Sequence, residues 1–475
     1  MEISKNLIEN IPKEVSHVTD ILEKAGFEAY LVGGCVRDLV MSQILSGVEG
    51  GRIPKDWDVT TNAKPDQIVA LFEKTIYENT FGTVGVCVPL EALAKEGVSR
   101  ETEMGNVSRE THDYIIIEVT PYRIETQYTD FRHPNEVKWS DKLEDDLKRR
   151  DFTINALAYR KGQITDMFGG LKDIEDKVLR TVGDGHERFH EDALRMLRAM
   201  RFSVQLNFSI SSETIESILK NSELLRKISA ERIRDEFVKI IMSENPSTGI
   251  VMLQKFNLLK NIIPELEEGI GCEQLGEHIY DVWEHLLYAL QHAANKNWPL
   301  EIRLAALFHD IGKPKSRRLI SRVQKNFPAL PASGLRHGEN FSVPASSKKK
   351  YTFYGHEVIG ARMAKKIMER LKFSNKEIEL VEKLVRNHMF FSDTELITLS
   401  AVRRIITKVG PSDAKALKGG NENHPIWDLM KIRECDRVGM KKKEAPYRLR
   451  KYFAMIEEAL HDPISVGALK IDGEF

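Results

Sequence analysis

An α+β chain is predicted, with strands confined to roughly the first third and helices filling the remainder. Short apolar runs at Leu31-Val32, Thr83-Val84-Gly85-Val86-Cys87-Val88 and Tyr114-Ile115-Ile116-Ile117-Glu118-Val119 read as strands of a mixed α/β segment. From about residue 165 onward, Glu191 to Phe202, the stretch after Ala230-Glu231-Arg232, and Trp283 to Ala294 carry apolar residues at helical spacing with few breakers. No apolar run approaches the ~20 residues that span a bilayer, and Met1-Glu2-Ile3-Ser4-Lys5 lacks the apolar core of a signal peptide. A cytoplasmic protein with no membrane partner is expected.

At 475 residues the chain can bury more than one core. The expected division is an α/β head over 1–160, a helical neck and body over 161–272, a second all-helical domain over 273–445, and a tail over 446–475. A net charge of −1 excludes a global field drawing the protein onto nucleic acid. Contact with RNA would rest on local clusters such as Lys148-Arg149-Arg150, Lys348-Lys349-Lys350 and Lys441-Lys442-Lys443. The four cysteines, Cys35, Cys87, Cys272 and Cys435, are widely separated, which argues against a disulfide framework and a thiolate zinc site. Two polar stretches interrupt the pattern: one over 91–113, in which Val-Ser-Arg-Glu-Thr occurs twice, and a basic one over 315–351.

The head holds the first chemistry. Gly33-Gly34, between an apolar strand and a helix, is a turn that can hold a triphosphate at the helix N-terminus. Some twenty residues later comes Asp56-Trp57-Asp58. On a strand, side chains alternate faces, so Asp56 and Asp58 are expected to project together. Paired carboxylates make a hard-cation site, and Mg²⁺ held there would bridge phosphates and activate an attacking hydroxyl. Glu118, ending a later strand, could add a third carboxylate.

Glu191 to Phe202 is expected to form one helix with Asp192, Arg195 and Arg198 within one arc, opposite Leu194, Met196, Leu197 and Met200. Such a set can be a surface ion pair. It can also read bases, because cytosine and adenine both place an exocyclic amino donor beside a ring-nitrogen acceptor. An Asp acceptor beside an Arg donor matches C and A, and a mismatched U or G would cost about 1–3 kcal/mol per lost contact.

These segments resemble, in order, the bacterial-type class II tRNA nucleotidyltransferases and the related poly(A) polymerases. The likeness lies in Leu31-Val32-Gly33-Gly34, Val36-Arg37-Asp38, Lys55-Asp56-Trp57-Asp58, Phe81-Gly82-Thr83-Val84, Arg149-Arg150-Asp151-Phe152-Thr153-Ile154-Asn155-Ala156, Glu191-Asp192-x-x-Arg195 and Glu231-Arg232-x-x-x-Glu236, over residues 25–270. It implies a polymerase-β-like nucleotidyltransferase head and addition of CCA to the tRNA 3′ end from CTP and ATP. It further implies that Gly33, Gly34 and Arg37 cradle the triphosphate, that Asp56 and Asp58 bind Mg²⁺, and that Arg150, Asp151 and Asn155 contact ribose and phosphates. Asp192 and Arg195 would pair with the base, with Arg198 beside them. Tyr128 to Pro134 matches the family's specificity loop.

Leu307-Phe308-His309-Asp310-Ile311-Gly312-Lys313-Pro314 opens a second chemistry, since adjacent His and Asp at a helix end can hold one ion from two sides. With Trp283-Glu284-His285, Gly355-His356-Glu357, Asn387-His388 and Cys435-Asp436-Arg437, the series resembles the HD phosphohydrolase superfamily. The resemblance implies His285, His309, Asp310 and Asp436 as ligands of a divalent metal whose identity the donor set leaves open. His356 and His388 could build a second position. His278, His292 and His337 are expected to be surface or packing residues. Rival readings are a CC-adding or A-adding enzyme, a poly(A) polymerase, and an HD nucleotide phosphohydrolase with a binding-only head.

Overall fold

A computed structural model describes residues 11–44, 54, 56–77, 82–89, 114–125, 137–274, 278–319, 351–391, 397–410, 424–438 and 446–461. The chain folds as two compact units, 1–229 with 256–258, and 230–255 with 259–475. The basic triplets at 348–350 and 441–443, the 91–113 insertion, the Tyr128 to Pro134 loop, and His337 lie outside the described residues.

The first unit is built on a mixed seven-stranded sheet. In chain order its strands are β1 (Ala29–Val32), β2 (Asp58–Thr61), β3 (Thr75–Tyr77), β4 (Val84–Pro89), β5 (Tyr114–Pro121), β8 (Leu157–Arg160) and β9 (Gln163–Asp166). Spatially they run β3-β4-β5-β2-β1-β8-β9, and a separate hairpin pairs β6 (Arg123–Glu125) with β7 (Val137–Trp139). Helix α1 (Lys13–Lys24) buries Val15, Val18 and Leu22, spaced for one helical face. Helix α2 (Gly34–Ile44) follows β1 after Gly33, and α3 (Pro65–Leu71) starts on a proline suited to a first helical turn. Helix α4 (Leu143–Lys148) sets Leu143 and Leu147 into a cluster with Val32, Tyr122 and Ala158. This cluster fixes the end of β1, where the glycine turn begins.

Two expectations are corrected here. The β2 strand begins at Asp58, and Asp56 lies in a bend before it, exposed. The ladder ends there because Asp58 pairs with Val32, the last residue of β1, and no β1 residue remains to partner Asp56. The predicted single helix over Glu191 to Phe202 is two helices, α5 (Gly185–Glu191) and α6 (Arg195–Leu206). Asp192 separates them in an extended conformation (φ −145°, ψ 104°), and its Oδ1 accepts from the Leu194 amide at 3.0 Å. An aspartate that bonds its own following backbone competes with helix propagation.

The second unit is helical apart from one short hairpin, Arg318–Leu319 with Tyr351–Thr352, among the described residues. Its principal helices are α7 (Ala230–Ile241), α8 (Val282–Asn295), α9 (Leu300–Phe308), α10 (His356–Arg370), α11 (Asn375–Asn387) and α12 (Pro425–Asp436). Asp281 caps α8 by accepting from the Glu284 amide, and Ser374 with Glu377 forms a capping box on α11. The buried Arg303 donates to the carbonyls of Ile241, Ser243 and Trp298, each at 2.9 Å, tying α7 to α9. A Cβ on Gly312 would come within 2.3 Å of the His356 carbonyl oxygen and 2.5 Å of the Gly360 amide, so glycine is what lets α10 approach the end of α9. No helix among the described residues is long and apolar enough to cross a membrane.

Candidate active site and metal centre

At the end of β1 the chain turns through Gly33 at φ +80° into the N-terminus of α2. The left-handed backbone favours glycine there, and a Cβ would lie 2.9 Å from Arg150 Nη1, the movable end of its side chain, and 3.6 Å from Asp58 Oδ2. Glycine backbone, Arg150 guanidinium and Asp58 carboxylate therefore meet at one point. Asp58 pairs in register with Glu118 on the neighbouring parallel strand β5, which places both side chains on the same face of the sheet. Burial raises the Asp58 carboxyl above its usual range, Arg150 opposes this, and Asp56 raises it further. A buried carboxylate whose proton affinity is raised beside a second one fits a hard divalent cation.

From this point a chain of hydrogen bonds runs through the unit. Arg37 Nη1 donates to Asn155 Oδ1 (2.8 Å), and Asn155 Nδ2 donates to Asp151 Oδ1 (3.1 Å). Arg198 donates to Asp151 Oδ2 from both Nε (2.8 Å) and Nη2 (2.6 Å). Burial alone would raise Asp151, but Arg198 and Asn155 override it and hold the carboxyl down at about 2. Arg195, buried, is held separately: Nη1 donates to Glu191 Oε2 (2.5 Å) and the Arg188 carbonyl (3.2 Å), and Nη2 to the Arg149 carbonyl (2.9 Å). Arg149 directly precedes Arg150, so the backbone of one dipeptide links Arg195 to the Asp58 corner. Asp192 stands at the α5–α6 break, off the α6 helix face, with its carbonyl accepting from the Arg195 amide at 3.1 Å.

The second unit assembles its own cluster. His285 from α8, His309 and Asp310 beyond α9, and Asp436 at the end of α12 bring one donor atom each within 4.8 Å of one another, and Asp310, His356 and His388 do the same. Nδ1 of His309, His356 and His388 donates to the carbonyls of Ala306 (2.8 Å), Phe353 (2.8 Å) and Val385 (2.7 Å). Each bond commits Nδ1 and leaves Nε2 facing inward. Those inward nitrogens are crowded, with Nε2 of His285 and His309 3.0 Å apart and Nε2 of His356 and His388 3.3 Å apart. Asp310 lies between the pairs, Oδ2 toward His285 and His309, Oδ1 3.2 Å from His356 Nε2. Among the described residues that buried Oδ1 has no hydrogen-bond donor. Burial lowers the His309 imidazolium, yet Asp310 and Asp436 lift it to about 10, while burial lowers His388. Converging imidazole nitrogens and an orphaned carboxylate oxygen in a pocket that favours positive charge fit a divalent cation.

Residues 29–180 match the family model described as "Poly A polymerase head domain", 207–270 match "Probable RNA and SrmB- binding site of polymerase A", and 275–424 match "HD domain". The matches run in order from a poly(A) polymerase head model through an RNA-binding model to an HD-domain model. A protein of Ligilactobacillus salivarius called CCA-adding enzyme is 43% identical over 248 residues, covering 51% of this chain and 54% of that protein. Another so named, from Levilactobacillus brevis, is 40% identical over 278 residues, covering 58% and 62%. The chain thus spans about half the length of the curated relatives it matches. Among solved structures, the Bacillus stearothermophilus CCA-adding enzyme in complex with CTP superposes with a TM-score of 0.55 at 24% identity, covering 94% of this chain and 92% of that one. The Thermotoga maritima CCA-adding enzyme complexed with tRNA gives 0.54 at 16% identity, covering 100% and 88%. These structures share the fold, a polymerase-β-like head followed by helices.

Three residues of the HD domain escaped the sequence reading. Lys313 Nζ lies 2.5 Å from both Asp310 Oδ2 and Gln274 Oε1, and its spacing of three from Asp310 was the available signal. Gln274 carried no signal. His278, expected to be a surface or packing residue, packs edge-on against His285 (ring centroids 5.2 Å) and lines a cavity of about 540 Å³ with Lys313, His356 and Asp436. Burial, with Lys313 and His285, pushes it down to about 4. His292, by contrast, pairs with Glu434 (2.9 Å), as a surface residue would.

Proposed function

We propose that this chain is a CCA-adding tRNA nucleotidyltransferase that adds C, C and A to the tRNA 3′ end from CTP and ATP, in the cytoplasm and without a nucleic-acid template. The observation that carries the reading is the meeting of Gly33, Arg150 and Asp58 at one corner, with Arg195 hung from the carbonyl of Arg149. The names of the curated relatives support it.

The 3′-hydroxyl of tRNA attacks the α-phosphate, the new phosphodiester forms, and pyrophosphate leaves. Asp56 and Asp58 would hold Mg²⁺, which when bound would lower the pKa of that hydroxyl and neutralise charge at the phosphates. The Gly33-Gly34 turn and Arg37 hold the triphosphate at the α2 N-terminus, while Arg150 offsets charge beside Asp58. Asp151 and Asn155 keep Arg37 and Arg198 in place. Three of the five guanidinium donors of Arg195 are committed to Glu191 and to two backbone carbonyls, which fixes the plane in which it meets a base. Asp192 accepts from the exocyclic amine of C or A, whereas U or G sets a carbonyl oxygen against Asp192 and a ring N–H against Arg195.

In the HD domain, His285, His309, Asp310 and Asp436 are the proposed ligands of one divalent metal, and His356 and His388 with Asp310 of a second. Two such positions suit hydrolysis of phosphate esters. The domain division given above is adopted with this reading.

The experiment uses tRNAs ending before the first C, after C, and after CC, each with one labelled nucleoside triphosphate. C, C and then a single A are expected. Long A tracts on any RNA would favour a poly(A) polymerase, addition at only one stage would favour a partial enzyme, and no addition would favour a binding-only head.

A further inference from the structure

His278 differs from His309, His356 and His388, three of the four histidines whose Nε2 atoms face the metal positions. His309, His356 and His388 each spend Nδ1–H on a backbone carbonyl, which leaves Nε2 as the atom able to coordinate. His278 has no such bond. Its buried Nδ1 has no partner among the described residues, and a walled-in lone pair costs less than a walled-in N–H. The proton therefore belongs on Nε2, the nitrogen left to meet the cavity. A histidine in this tautomer is a donor and not a ligand, and His278 belongs to neither metal cluster.

The surroundings say what it donates to. The cavity wall that His278 shares carries Lys313, Arg433 and Arg437 together with Asp436 and His356. An anion is the ligand such a wall accepts beside a dication. The ring is also held in place. Gln274 Nε2 donates to the carbonyls of Tyr280 and Asp281 (3.2 Å each), its Oε1 accepts from Lys313 (2.5 Å), and Asp281 Oδ2 accepts from the Gly271 amide (2.7 Å). The segment bearing His278 is thus tied to the residue that bonds Asp310, and its ring rests edge-on against His285.

We propose that His278 is a substrate-contacting residue of the HD domain, its Nε2–H donating to a phosphoryl oxygen of the ester bound beside the metal positions. The inference rests on the phosphohydrolase reading. It names phosphate esters as the ligand class and gives a role to a residue that coordinates nothing.

The test uses the full chain loaded with Mn²⁺, comparing wild type with His278→Gln, which keeps an N–H, and His278→Leu, which does not. Three readouts are needed: bound Mn²⁺ per chain, affinity for inorganic phosphate by calorimetry, and hydrolysis of bis-p-nitrophenyl phosphate. Mn²⁺ content is expected to stay unchanged in both variants. Phosphate affinity should fall about tenfold or more in the leucine variant, the loss expected for a hydrogen bond to a charged group, and less in the glutamine variant. Loss of Mn²⁺ in the leucine variant, phosphate affinity equal to wild type, or no phosphate binding by wild type would each overturn the proposal. Wild type that binds phosphate in a His278-dependent way yet hydrolyses no ester would overturn the phosphohydrolase reading while leaving the His278 contact standing.

Discussion

One carboxylate oxygen of Asp151 accepts two hydrogen bonds from Arg198, at 2.8 and 2.6 Å, while the other accepts from Asn155, which in turn holds Arg37. A carboxylate satisfied this way keeps its charge in spite of full burial, at about 2. Its pKa in the folded chain lies below the unfolded value near ~3.9, so its stabilisation is fully present above that value and is lost as pH falls toward 2. The amount is on the order of 2 kcal/mol. Denaturant unfolding followed between pH 5 and 2 should show this loss in wild type and a flatter limb in Asp151→Asn.

Asp58→Asn removes the carboxylate at the glycine corner while preserving shape. Nucleotide addition should fall about a thousandfold or more, since metal-assisted charge stabilisation is worth several kcal/mol. Far-ultraviolet circular dichroism should be unchanged. Single-turnover incorporation of labelled CMP measures the loss.

Glu191 fixes Arg195 through a 2.5 Å ion pair and also binds Arg188. Glu191→Gln weakens that anchor and lets the guanidinium plane wander. Efficiency with CTP should drop about tenfold, and the ratio of CMP to UMP incorporated should fall with it. Competition between the two labelled nucleotides reads the ratio directly.

Asp310→Ala deletes the carboxylate that both histidine pairs face. Bound divalent metal at the HD domain should drop by at least one ion per chain, and hydrolysis of phosphate esters should disappear. Addition of C and A to tRNA should persist, because the carboxylates assigned to that reaction lie in the other unit. Elemental analysis and the two activity assays separate these outcomes.

Gly312→Ala places a methyl group against the His356 carbonyl and the Gly360 amide. Backbone on both sides cannot rotate away, so α10 must shift, at a cost of about 1–3 kcal/mol. Thermal unfolding should move down, and metal affinity should weaken because His356 begins α10.

Much of this architecture was legible in the sequence, because the signals were local. The Gly33-Gly34 turn needs a left-handed residue between strand and helix, and the apolar runs of β4 and β5 announce themselves by composition. His309-Asp310 likewise marks its cluster before any fold is known. What was not legible depends on partners far away in the chain. The β2 strand starts at Asp58 because β1 stops at Val32, a limit set by pairing and not by residues 56–58. The helix through Asp192 breaks because that carboxylate bonds the Leu194 amide, and a wheel drawn through 191–202 could not weigh this against helical propagation. His278 looked unremarkable because its neighbours, His285, Lys313 and the cavity wall, come together only in the folded unit.

The most direct measurement is sequencing of the 3′ ends formed when a tRNA lacking its terminal CCA is incubated with all four nucleoside triphosphates and Mg²⁺. The account predicts a single product class ending in one copy of CCA, absent with Asp58→Asn. Ends extended by runs of A, ends containing U or G, or product undiminished by Asp58→Asn would contradict it.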